Sequence, residues 1–77
     1  MVDLAFTAYA RWRMGRRRIP LAAVYHIVED ANEIIERDDG RTEYFGRWER
    51  RTIMVVTEGS DEPLLVVNAI DRMRGGR

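Results

Sequence analysis

The spacing of apolar positions changes twice along the chain. From Leu4 to about Arg17 it is helical: Phe6, Ala10 and Met14 fall at i, i+4 and i+8, with Ala5, Ala8 and Trp12 broadening the stripe. Gly15 weakens the last turn, and the arginines that follow sit where the helix dipole favours cations. Pro20 opens a second helix at a position where its missing N–H costs nothing. Leu21, Val24, Tyr25 and Val28 mark the buried face of that helix, Ile27 lies at its margin, and His26 faces away. After Ala31-Asn32 the period shortens. Glu33 to Arg37 reads as a short strand, Asp38-Asp39-Gly40 as a turn, and Thr42 to Arg47 as a second strand. Trp48-Glu49-Arg50 leads into a third strand, Thr52 to Thr57, rich in β-branched residues. Glu58-Gly59-Ser60-Asp61 turns into a last strand, Leu64 to Ile70, whose nearly continuous apolar character marks it as central or covered on both faces. The pattern predicts an α+β fold in which two N-terminal helices pack on one face of a four-stranded, mostly antiparallel sheet. Residues 1–77 read as a single domain, with about 1–3 and 72–77 as frayed ends.

Composition narrows the chemistry. Cysteine is absent, which removes disulfides, thiol nucleophiles and thiolate metal sites. One histidine cannot make a histidine-based metal site or a two-histidine ribonuclease centre within one chain. No metal and no cofactor is expected. The apolar run Pro63 to Val67 is far too short to span a bilayer, and residues 1–18 are apolar first and basic afterwards, the reverse of a secretory signal. No membrane partner is expected, and the cytoplasm is the default location.

Charge adds the main functional hint. The formal net charge is zero, yet residues 1–20 carry five arginines against Asp3, and residues 21–40 carry six carboxylates against Arg37. Every basic residue is arginine, whose rigid fork of donors matches phosphate geometry. Tyr9, Arg13 and Arg17 recur at i, i+4 and i+8 on the first helix, with Arg16 beside them, and Arg47, Arg50 and Arg51 form a second basic group in a hairpin. Such a constellation can bind RNA through arginine–phosphate contacts and base stacking on Tyr9 or Trp48. It can also cleave RNA without histidine, if the arginines stabilise charge on the phosphorane and tyrosine takes the 2′-OH proton. Packing is the simpler role for Tyr9, Trp12 and Trp48.

The run Phe6-Thr7-Ala8-Tyr9-Ala10-Arg11-Trp12-Arg13-Met14-Gly15-Arg16-Arg17-Arg18-Ile19-Pro20 resembles the opening of a small bacterial family, domain of unknown function 4258. The resemblance continues through Asn32 to Glu36, Tyr44-Phe45-Gly46-Arg47 and Ile53 to Val56. The family is similar to the BrnT toxins and, more distantly, to the RelE/ParE fold. That resemblance implies a toxin of a toxin–antitoxin module, a ribonuclease or gyrase poison neutralised by a separate antitoxin. The family's arginine positions fall on Arg13 and Arg17, its histidine position on Tyr9, its glycine before isoleucine on Arg18 and its capping serine on Pro20.

These readings converge on a toxin-like RNA-cleaving protein. Tyr9, Arg13 and Arg17 would be catalytic, Arg16, Arg47, Arg50 and Arg51 would bind substrate, and the partners would be RNA, such as ribosome-bound message, and an antitoxin. The alternatives are a non-catalytic nucleic-acid- or protein-binding domain of the same fold, or a structural homodimer built on Trp12, Trp48 or the last strand's edge.

Overall fold

The computed structural model describes residues 1–71. Its elements run β1 (Leu4–Phe6), α1 (Ala8–Arg17), α2 (Leu21–Glu29), β2 (Glu33–Glu36), β3 (Arg41–Trp48), β4 (Arg51–Glu58) and β5 (Leu64–Asp71). The α+β class and the two helices are as expected, but the sheet has five strands, in the order β1-β5-β4-β3-β2. β2 to β5 form the antiparallel meander, and β1 adds to β5 in parallel, with Leu4, Ala5 and Phe6 opposite Leu64, Leu65 and Val66.

The helix expected from Leu4 therefore begins at Ala8. Leu4–Phe6 goes into the sheet because its main chain finds partners there: the Leu64 N–H donates to Asp3 at 3.0 Å and the Thr7 N–H to Val66 at 3.1 Å. Thr7 then stops the strand and starts the helix, its hydroxyl accepting from the Ala10 N–H at 2.9 Å. At the far end Arg18 adopts a left-handed conformation (φ 54°), and the Arg18 and Ile19 N–H groups close the turn on the Gly15 and Met14 carbonyls. The chain start is held by the Val2 N–H donating to Glu29 and the Asp3 N–H to Glu62, whereas Met1 is fully exposed. Residues 72–77, read as a frayed tail, lie outside the described residues.

Both helices lie on one face of the sheet. Ala10 and Met14 of α1, with Ala23, Val24, Ile27 and Val28 of α2, pack with Ile53, Val55, Val66 and Ala69. The buried face of α2 is thus turned from the expected one: Ile27 is fully buried, Leu21 is 54% exposed and Tyr25 is half-buried. Small residues explain the rotation. Ala23 lets the helix approach the sheet, and a Cβ on Gly46 of β3 would stand only 2.9 Å from the Ile27 δ-methyl. Burying a side chain such as Ile27 or Ile53 stabilises the fold by about 1.5–3 kcal/mol. β4 is the central strand and carries a register shift at Val56/Thr57; beside it the fully buried Thr57 hydroxyl has no hydrogen-bond partner among the described residues. Gly40 (φ 87°) closes the β2–β3 turn where Asp38-Asp39-Gly40 predicted one.

Candidate nucleic-acid interface

The burial of Ala10 and Met14 fixes which side of α1 faces water. Positions 9, 12, 13 and 16 stand at i, i+3, i+4 and i+7 and so share one outward stripe. Tyr9 is 51% exposed and Trp12 53%. Their ring centroids are 6.2 Å apart, and the Arg13 guanidinium lies over both rings, 5.5 Å from Tyr9 and 5.9 Å from Trp12. Arg16 flanks the same indole at 5.2 Å. Arg13 also donates to the Tyr9 hydroxyl oxygen at 2.9 Å. Trp12, Arg13, Arg16 and Arg17 line a shallow depression of about 240 Å³. Neither Arg13 nor Arg16 has a carboxylate partner among the described residues.

Arg17 lines the same depression but is also tied into the fold. Eight residues at 100° each carry position 17 about 80° round the helix from position 9. There Arg17 Nη1 donates to the Ala69 carbonyl of β5 at 3.0 Å, tying α1 to the sheet. Arg51 is likewise bound within the fold. Its Nε donates to Asp71 at 2.8 Å, Nη1 to the Arg18 carbonyl at 2.6 Å and Nη2 to the Arg17 carbonyl at 2.7 Å. One guanidinium thus closes the C-terminus of α1, where the helix dipole is negative, and joins it to β4 and β5. Arg47 pairs with Thr52, between Gly46 and Trp48 on β3, and so points to the face of the sheet opposite the helices. Arg50 is exposed in the turn between β3 and β4. Of the seven candidates, the structure brings Tyr9, Arg13, Arg16 and Arg17 together along α1, with Arg17 also bound to β5, engages Arg51 within the fold, and leaves Arg47 and Arg50 apart from the α1 stripe.

Trp12 was expected to widen the apolar stripe, and the structure puts it in solvent. The sequence carried that signal: Trp12 is two positions from both Ala10 and Met14, about 200° away on a helical wheel. Trp48 is half-buried against the core, its ring 5.6 Å from His26, which is itself 3.6 Å from Asp30. Trp48 thus packs against the core with its ring beside His26.

A larger depression of about 580 Å³ lies beside the β2–β3 hairpin, lined in part by Ile34, Arg37, Arg41, Tyr44 and Glu62. Its two arginines are taken, Arg37 by Glu43 and Arg41 by Glu58, each at 2.8 Å. Hydrogen bonding to the carboxylate first, and its charge second, raises both guanidinium pKa values. The α1 depression therefore offers unpaired cations and the larger one does not. Among the described residues no group of histidine and carboxylate side chains could hold a metal ion, and no helix is long and apolar enough to cross a membrane.

No protein-family model, curated protein or solved structure matches the chain.

Proposed function

We propose that the outer face of α1 binds single-stranded RNA, with Trp12 as the stacking platform and Arg13 and Arg16 as the phosphate contacts. The observation that carries this reading is the exposed Trp12 indole beside two guanidinium groups, at 5.9 and 5.2 Å, that have no carboxylate partner among the described residues. A base stacked on an aromatic ring contributes about 1–3 kcal/mol whatever its identity, and adjacent arginines hold the backbone that carries it. The zero net charge does not oppose this, because contact is governed by local charge within a Debye length of about 8–10 Å. The resemblance of the α1 sequence supports a wider setting for the same face: a RelE/BrnT-like toxin acting on RNA in the cytoplasm. An acidic segment of an antitoxin laid over Arg13 and Arg16 would silence it by excluding RNA.

RNA cleavage is the second reading, favoured by one contact. Arg13 donates to the Tyr9 hydroxyl oxygen at 2.9 Å, which fixes that oxygen beside a guanidinium able to hold the scissile phosphate, so that Tyr9 would orient the attacking 2′-OH. Arg16 would then stabilise charge on the phosphorane. Incubating the protein with a labelled single-stranded RNA and running native and denaturing gels separates the two. A native shift with intact RNA supports binding, and cleavage lost in Tyr9→Phe supports catalysis. An RNA that is neither shifted nor cut at low salt refutes both.

A further inference from the structure

β2 is the outer strand on one side of the sheet, and the hairpin sets which of its main-chain groups face outward. The Arg37 N–H donates to the Arg41 carbonyl at 2.8 Å and the Asn32 N–H to the Phe45 carbonyl at 2.7 Å, in a register that pairs Ile35 with Glu43 and Glu33 with Phe45. Hydrogen-bonded pairs alternate along an antiparallel ladder, so Glu33, Ile35 and Arg37 bond inward to β3. The N–H and C=O groups of Ile34 and Glu36 point out of the sheet, with no partner among the described residues. Ile34 pairs with Tyr44, which packs on the core, so Ile34 and Glu36 lie on the helix side and Glu33, Ile35 and Arg37 on the other. Ile34 is 56% exposed, an apolar side chain on an open edge.

We propose that this edge pairs antiparallel with β2 of a second copy of the chain, about a dyad through Ile35, to give one continuous sheet. A dyad that makes two adjacent strands antiparallel stands perpendicular to the sheet and keeps both faces. Paired residues must then share a face, which restricts the register to every second alignment. With Ile35 opposite the partner's Ile35, Ile34 and Glu36 form doubly bonded pairs with the partner's Glu36 and Ile34, giving four main-chain hydrogen bonds. Glu33 falls opposite the partner's Arg37 at a non-hydrogen-bonded position, where side chains come closest. Arg37 is already bound to Glu43 at 2.8 Å, but its half-exposed guanidinium has donors to spare and bridges to the new carboxylate. The neighbouring registers are worse. Centring on Glu36 sets two glutamates against each other, and centring on Ile34 calls on the Asn32 N–H, which already serves the Phe45 carbonyl. Charged residues on a short edge strand often serve to block pairing. Here the face-keeping register lets neither glutamate meet another. The strand is only four residues long, so the contact is small and its dissociation constant falls on the order of 100 µM.

The test is sedimentation of the full chain from about 10 µM to 1 mM, a range bracketing that affinity, joined to single-cysteine cross-linking. The chain has no cysteine of its own, so an introduced thiol pairs only with its counterpart in a second copy. Ile35→Cys puts two thiols at a pair with Cβ atoms about 4.5–5.5 Å apart, close to what a disulfide needs. It is expected to cross-link about tenfold faster than Thr52→Cys, an exposed position away from the edge. Glu33→Arg sets arginine against the partner's Arg37 and is expected to weaken the dimer about fivefold or more with unchanged dilute-solution melting, a test that stands even if the cysteine variant misfolds. A chain that stays monomeric to 1 mM overturns the proposal. So does a dimer in which Ile35→Cys cross-links no faster than Thr52→Cys, which Glu33→Arg leaves intact, or which Trp12→Ala abolishes.

Discussion

Replacing Arg51 with alanine removes three short hydrogen bonds at once: 2.8 Å to the Asp71 carboxylate, 2.6 Å to the Arg18 carbonyl and 2.7 Å to the Arg17 carbonyl. Bonds to a charged group contribute about 1.5–3 kcal/mol each when buried. The Arg51 side chain is 27% exposed, so water recovers part of each, and roughly 1 kcal/mol apiece remains. The sum, ~3 kcal/mol, is a large share of the stability of a domain this size. At about 4–8 °C per kcal/mol for a domain of 60–100 residues, the melting temperature of Arg51→Ala should fall by roughly 12–24 °C. Arg51→Lys keeps the charge but lacks the fork that reaches three acceptors, and should recover only about a third of the loss. Thermal unfolding followed by circular dichroism reads both values. A melting temperature within about 3 °C of wild type for Arg51→Ala would refute the assignment of this residue to the scaffold and return it to the list of substrate contacts.

Four further substitutions probe the fold. Arg18→Gly relieves the left-handed backbone at φ 54° and should stabilise the protein by about 0.5–1 kcal/mol in denaturant melts; a loss of stability would mean the arginine side chain matters there. Thr57→Val replaces a buried hydroxyl that has no partner among the described residues and should raise stability by about 1 kcal/mol; a drop would mean that the hydroxyl is hydrogen-bonded in solution. Thr7→Ala removes the cap on the Ala10 N–H and should cost about 1 kcal/mol, with little change expected if α1 does not depend on that cap. Gly46→Val should cost about 2 kcal/mol by pressing on Ile27, and Ile27→Val in the same chain should return part of it; strictly additive effects would argue against that contact.

Much of the sheet was legible because its signals are local. The period change after Ala31-Asn32, the Asp38-Asp39-Gly40 turn and the β-branched run from Thr52 each reflect short-range stereochemistry, and the strands form there. β1 was not legible. Three residues are too few to show a period, and Phe6 continues the spacing of Ala10 and Met14, so the segment merges with the helix pattern. Its partner, Leu64 to Val66, lies sixty positions away along the chain and pairs through main-chain groups that leave no mark on residue type. The same reason hid the roles of Arg17 and Arg51, whose acceptors are largely backbone carbonyls. Their sequence neighbourhood shows a basic cluster, and only the fold divides it into arginines that hold α1 in place and arginines that face solvent. Tyr9, Arg13 and Arg16 were readable from the helical wheel, as was Trp12 once the buried side of α1 was set by Ala10 and Met14.

The most direct test of the α1 interface is a fluorescence-anisotropy titration of a labelled single-stranded RNA, run at low and moderate salt. It compares the wild type with Trp12→Ala and with Arg13→Ala/Arg16→Ala. Wild-type affinity should fall as salt rises, with a log–log slope near −1.4 for two phosphate contacts on a single strand. Trp12→Ala should bind about 5- to 100-fold more weakly with that slope preserved, because it removes stacking and leaves the charge. The double arginine variant should flatten the slope. Wild-type affinity and slope in both variants, or no binding by the wild type even at low salt, would contradict the account.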